Sequence, residues 1–306
     1  MSWAPRGERT VIAEGDPRFP EAFRTLRRVP SRLYLAGDER ALAEGLAVVG
    51  ARKATPYGLG CASRFATLAS RRGICIVSGG ARGCDSQAHT AALENGAPTV
   101  VFLGCGIDHA YPAENRALFQ RIMDNGGALV SEHPWDTEPR PWMFRERNRL
   151  IASLAKATLI VEAGLPSGTF STADYALEAN REVMAIPGSI TSKASMGANL
   201  LISQGATPVI DDESFSMRLD ALFGTEVLRC GSAAEPKEAR SSGPATPFDR
   251  VARALEAQPM SLEAMLGMVS GDLGEDALPR LMLWLADQRR LRMVAKYPDG
   301  TYGPMP

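Results

Sequence analysis

What most constrains this chain is a recurring alternation between residues 46 and 210. Seven short apolar runs, Leu46–Val49, Ile74–Val77, Thr99–Leu103, Ala128–Ser131, Thr158–Val161, Val183–Ile186 and Pro208–Ile210, read as strands. They are nearly continuous in apolar residues, which suits parallel strands covered on both faces rather than strands with one wet face. Between them Tyr57–Arg72, Asp85–Asn95, Glu114–Asn125, Phe170–Asn180 and Gly197–Gln204 read as helices. Strand and helix alternating in this way predict an α/β fold built on a doubly wound parallel sheet.

A chain of 306 residues is too long for one small core and suggests two domains. Residues 1–45 read as a short N-terminal lobe and 46–224 as the sheet domain. At 225–247 the run "GSAAEPKEARSSGPATP" is small, polar and broken by proline, so it reads as a linker. Residues 248–306 hold three helical stretches and then "LRMVAKYPDGTYG", which turns at Pro298-Asp299-Gly300 like a hairpin. Three helices and a hairpin describe a winged-helix-like module.

Net charge is −1, so no global excess marks a nucleic-acid binder, and any basic footprint must be local. The five cysteines, Cys61, Cys75, Cys84, Cys105 and Cys230, are scattered without a CxxC pair, and with three histidines they form no metal spacing. No metal and no cofactor are expected. The start of the chain lacks the apolar run of a signal peptide, and no stretch approaches a membrane span. The expected compartment is the cytoplasm.

Three loops share one design. "VVGARKATPYG" ends a strand at Val49, gives close backbone approach at Gly50, and follows with Arg52 and Lys53. "VSGGARGCDSQAH" repeats it with Ser78, Gly79, Arg82 and Gly83, with turn amides expected free and Asp85 expected to cap the next helix. "EAGLPSGTFSTADYA" offers Ser167, Gly168 and Thr169 at a helix start. Amides at helix N-termini with a nearby cation bind phosphate, and ligands of open α/β sheets sit beyond the carboxyl ends of the strands. His89 reads as a packed, hydrogen-bonded residue rather than a base. "GLGCAS" approximates a dinucleotide fingerprint, but it starts well past its strand and lacks the acidic partner.

A fourth segment, "MFRERNRLIASLA", puts Phe144, Arg145, Arg147, Asn148 and Arg149 ahead of a helix feeding the strand at Thr158. Pro139–Leu150 holds four arginines against one glutamate. Guanidiniums pair with phosphates and an aromatic face accepts a stacked base, a combination suited to single-stranded nucleic acid. Asn148 would either bond a base edge or brace the loop.

These segments, with "GCGIDHAYPAENRAL", "SEHP" and "GANLLISQGA", resemble in order the DNA-processing protein A family (DprA, also called Smf), over about Asp16 to Ile210. The resemblance implies a Rossmann-like single-stranded DNA-binding domain and a homodimer. It implies protection of incoming DNA, and loading of the RecA recombinase in natural transformation and homologous recombination. By motif, phosphate binding falls on Arg52 and Arg82, and the family's F-x-x-R-N-R motif on Phe144, Arg147, Asn148 and Arg149.

The alternative is a phosphoribohydrolase-like enzyme of the same superfold, acting on nucleoside monophosphates. Its signature glutamate aligns with Thr172, which supplies no carboxylate, although Glu162 is close in sequence. A non-enzymatic binder is therefore expected, with single-stranded DNA and RecA as partners and no membrane. Apolar residues in one short helix, Phe215, Met217, Leu219, Leu222 and Phe223, suit either a partner surface or ordinary core. The C-terminal module's long helix is apolar on more than one face, which favours a protein-contact or structural role over duplex reading.

Overall fold

The computed structural model describes residues 3, 5–224, 247–257, 260–290, 294–297 and 300–304. They form two compact units, parted between residues 224 and 247.

In the first unit nine strands make one sheet: β1 Arg9–Ala13, β2 Arg32–Gly37, β3 Gly45–Val49, β4 Ile76–Ser78, β5 Thr99–Phe102, β6 Ala128–Ser131, β7 Ala155–Ile160, β8 Glu182–Ala185 and β9 Thr207–Pro208. Their order is β1-β2-β6-β5-β4-β3-β7-β8-β9. From β6 to β9 all neighbours pair in parallel, while β2 is antiparallel to β6 and β1 to β2. Six helices connect the strands from β3 onward, α1 Pro56–Ser70, α2 Cys84–Glu94, α3 Arg116–Asp124, α4 Pro141–Leu154, α5 Thr169–Glu178 and α6 Met196–Ser203, and α7 Asp212–Phe223 follows β9.

Strand side chains alternate between faces. Leu46 and Val48 of β3 pack in one core with Ala62, Phe65 and Ala66 of α1, Ala88 of α2 and Phe215 of α7. Ala47 and Val49 pack in the other with Leu150 and Ile151 of α4 and Ala173 of α5. The doubly wound reading is correct. Because α1 and α5 lie on opposite faces, the chain leaves the adjacent strands β3 and β7 in opposite directions. That divergence opens a crevice at their carboxyl ends.

The segment that reads as an N-terminal lobe contributes β1 and β2 to this same sheet. Its Phe23 packs edge-on to Phe19 and to Phe102 of β5, with ring centroids 5.9 Å apart in each pair. The basic segment expected on a loop before a helix lies inside α4, which starts at Pro141 in the favoured first position and runs directly into β7. Of the apolar residues in α7, Phe215 and Leu219 are core, with Phe215 against Phe65 at 4.9 Å, while Met217 is exposed.

The second unit comprises α8 Pro247–Ala257, α9 Leu262–Leu273 and α10 Ala277–Arg290, with β10 Val294–Lys296 antiparallel to β11 Tyr302–Pro304. Ser261 caps α9 by accepting from the Ala264 amide. Val251, Leu255, Met265, Val269, Leu281 and Leu285 form its core. The expected linker, apart from Pro247, lies outside the described residues, as do Pro298 and Asp299 of the expected turn. No described helix is long and apolar enough to cross a membrane.

Candidate nucleic-acid interface

At the β3/β7 divergence a groove of about 1370 Å³ opens along the carboxyl edge of the sheet. The loops after β3 and β7 and the N-terminal half of α4 form its walls, and Lys193, after β8, extends its rim.

The loop after β3 carries the exposed cations Arg52 and Lys53. Gly50 is required there. A Cβ would lie 2.7 Å from Cys84 Sγ and 3.2 Å from the Glu162 amide nitrogen. The far end of the loop is held by Thr55, whose hydroxyl accepts from the Gly58 amide at 3.1 Å and so caps α1. Thr55 in turn donates its amide and its hydroxyl to the two carboxylate oxygens of buried Glu162, at 2.8 and 2.6 Å. Arg52 and Lys53 are therefore exposed side chains on a backbone held at both ends.

Helix α4 divides its charges by face. Phe144 lies against the backbone of Gly104, edge-on to Tyr111 at 5.6 Å, with the Arg52 guanidinium 6.0 Å from its ring centroid. Arg145 is exposed at the groove. Arg147 and Arg149, expected at phosphates, are each 5% exposed; Arg147 lines the groove, and Arg149 lies behind it. Arg147 donates to the Gly79 carbonyl at 2.9 Å and to the Phe102 carbonyl, joining the carboxyl ends of β4 and β5. Burial pushes its guanidinium pKa down to about 10, against the pull of Asp85. Arg149 makes a two-pronged pair with Glu132, at 2.7 and 2.6 Å, and donates to the Arg28 and Glu146 carbonyls. Burial raises the Glu132 carboxyl, but its bonds to Arg149 win and hold it below its ordinary value. Asn148 braces: its amide donates to Ser171 Oγ at 2.9 Å and its oxygen accepts from Arg147 Nε.

The loop after β4 departs furthest from expectation. Two of its amides are engaged, because Asp85 Oδ2 accepts from Gly79 at 3.2 Å and from Ala81 at 3.3 Å. Asp85 is not the cap of α2, a position held by Gly83, and sits in the first turn facing back into the loop. Burial raises the Asp85 carboxyl pKa, while Arg147 lowers it. Ser78 is fully buried and donates to the Val48 carbonyl at 2.6 Å. Gly83 has a positive φ of 79°, and a Cβ there would meet the Ala51 carbonyl at 2.2 Å. This loop thus buttresses the loop after β3, with the Cys84 amide donating to the Ala51 carbonyl at 3.3 Å. Arg82 is exposed beside a small crevice adjoining the groove and pairs with Glu114 at 3.3 Å.

Ser167, Gly168 and Thr169 do reach the groove, at the N-terminus of α5. Ser167 Oγ accepts from the Thr169 amide at 3.2 Å, so one donor of that helix start is already used. The sequence reading missed Tyr111, Trp142 and Lys193, all of which line the groove. Trp142 is 48% and Tyr111 44% exposed, leaving aromatic faces available. Lys193 was open to the same rule that found Arg52, since it follows a strand's carboxyl end. His89 is packed as expected. Its Nδ1 lies 2.7 Å from Thr99 Oγ1, which donates onward to the Ile76 carbonyl, so the ring carries its proton on Nδ1.

A basic, aromatic-walled groove thus lies at the switch point of an open, doubly wound α/β sheet. Residues 10–220 match the family model for DNA recombination-mediator protein A, and the chain belongs to that family. It is 38% identical over 229 residues to Protein Smf of Escherichia coli, covering 74% of this chain and 61% of that protein. It thus spans under two thirds of that relative's length, and 47% of the length of a putative DNA processing protein DprA of Mycobacterium tuberculosis. Among solved structures, DprA of Streptococcus pneumoniae superposes with a TM-score of 0.64 at 33% identity, covering 67% of this chain and 72% of that one. A structure of Helicobacter pylori DNA processing protein A, described for its single-stranded DNA binding mode, superposes with a TM-score of 0.63 at 29% identity, covering 70% and 96%.

Proposed function

We propose that this protein binds single-stranded DNA in the carboxyl-edge groove and, as a homodimer in the cytoplasm, protects it and loads RecA during natural transformation and homologous recombination. The observation that carries the reading is the Arg52–Phe144–Tyr111 series on one groove wall, with Lys53, Arg145 and Trp142 beside it. Cations along a track take phosphates, and exposed rings take unstacked bases. The edge is shared by several loops rather than formed by one projecting basic helix, which fits a flexible strand better than a duplex groove. Membership of the DNA recombination-mediator family supports the RecA step.

The phosphoribohydrolase-like alternative requires a carboxylate free for chemistry. Those lining the groove are engaged: Asp85 with the Gly79 and Ala81 amides, Glu146 with Arg28. Glu162 is occupied by Thr55, and Thr172 stands where the enzyme signature has glutamate. These contacts favour a binder. A gel-shift series on matched single-stranded and duplex oligonucleotides tests the reading. The expected result is retention of the single strand at protein concentrations that leave the duplex free. Preference for the duplex, or sustained release of base from nucleoside monophosphates, would overturn it.

A further inference from the structure

We infer that the single-stranded DNA footprint continues beyond the groove onto the arginine run at residues 24–32, where Arg27, Arg28 and Arg32 form a second phosphate-binding stretch. The inference rests on the groove reading above and extends it. "RTLRRVPSR" holds four arginines and no acid in a chain of net charge −1. All four are exposed. Arg24 pairs with Glu21 and Arg28 with Glu146, while Arg27 and Arg32 make no ion pair among the described residues.

Topology brings this run to the groove's edge. β2 is antiparallel to β6 with Tyr34 opposite Ser131, so the chain before Tyr34 passes beyond the carboxyl end of β6. Arg32 therefore lies on the same edge of the sheet as the loops carrying Arg52 and Ser167. Helix α4 supplies the bridge. Trp142 and Glu146, one turn apart, lie on one face of it. Glu146 lines the groove, and both its oxygens accept from Arg28 Nη1 at 2.7 Å. Trp142 stands edge-on to His133, the third residue after β6's Val130, at 6.2 Å. Arg149, beneath, donates to the Arg28 carbonyl and pins the run to the helix. A strand leaving the groove past Trp142 thus meets an exposed ring, then Arg28, then two exposed cations without an ion pair among the described residues. Phosphates spaced along a flexible strand are the ligand such a row fits, and each neutralised phosphate adds counterion release.

The test uses the full chain and two oligothymidylates, one of about 6 nucleotides to fill the groove and one of about 20 to reach past it. Affinity is read by fluorescence anisotropy across a salt series, for wild type and for the double variant Arg27→Gln/Arg32→Gln. Thermal unfolding of both proteins confirms that the variant is folded. The expected result is an unchanged salt slope on the short oligonucleotide and one flatter by about 1.4, roughly 0.7 per lost phosphate contact, on the long one. Equal slopes on the long oligonucleotide would overturn the inference and leave the groove reading standing. So would an equal loss on both lengths, which would put the arginines inside the primary site. If wild type fails to bind the short oligonucleotide at all, the groove reading falls and this inference with it.

Discussion

The Glu162 carboxylate takes both the amide and the hydroxyl of Thr55, at 2.8 and 2.6 Å. One buried acid at the end of β7 thereby fixes the loop that carries Arg52 and Lys53 at the end of β3. Replacing Glu162 with alanine leaves the Thr55 amide unpaired in a half-buried site, at a cost of about 1 kcal/mol or more. The expected outcome is a lowered denaturation midpoint with faster amide exchange concentrated in residues 50–58. Uniform exchange across the sheet would show that the loop owes nothing special to this contact.

Arg149 and Arg52 differ in kind although both are arginines near the groove. Arg149 is buried and paired with Glu132, so Arg149→Ala should destabilise the fold by about 3–5 kcal/mol. The fraction that remains folded should bind DNA with an unaltered salt slope. Arg52→Ala should do the reverse, leaving the melting temperature near wild type and flattening the slope by about 0.7. Denaturation and salt titrations on both variants check the pair.

Trp142 separates stacking from charge better than Phe144 does. Phe144 packs on Gly104 and Tyr111, so its removal disturbs the wall itself. Trp142→Ala should weaken binding of single-stranded DNA by about 1–3 kcal/mol. The salt slope should not move, because no phosphate contact is lost. A change confined to the slope would contradict a stacking role.

His89 predicts an acid sensitivity. Burial, reinforced by Arg147, pushes its pKa from 6.5 down to about 3. Between those values the unfolded chain binds a proton that the folded one refuses. The neutral ring's contribution is therefore complete above 6.5 and is lost as pH falls through the window toward 3, by up to about 1.4 kcal/mol per pH unit. Melting temperatures of wild type and His89→Gln across this range should converge on acidification. Parallel curves would show that His89 is not the titrating group.

The parallel sheet was legible because strands covered on both faces must be apolar throughout. β1, "RTVIA", and β2, "RLYLAG", were not, because each starts with an arginine and lies outside the strand–helix alternation, and only pairing beside β6 makes them strands. The loops after β3 and β7 were found by the rule that ligands sit at carboxyl edges. That rule does not say which amides remain free. Asp85 looks like a helix cap in sequence, and only the folded loop turns it back onto Gly79 and Ala81. Likewise, nothing local distinguishes Arg145, which faces solvent, from Arg147 and Arg149. Their burial depends on carbonyls and a carboxylate delivered by β4, β5 and the residues after β6.

The most direct test is photocrosslinking of halogenated single-stranded DNA to the full chain, with the modified residues mapped by mass spectrometry. Crosslinks should fall on Tyr111, Trp142 and Phe144, and should fade when Arg52 and Arg145 are replaced by glutamate. Efficient crosslinking confined to residues 247–304, with the groove aromatics untouched, would contradict the assignment of the groove as the DNA site.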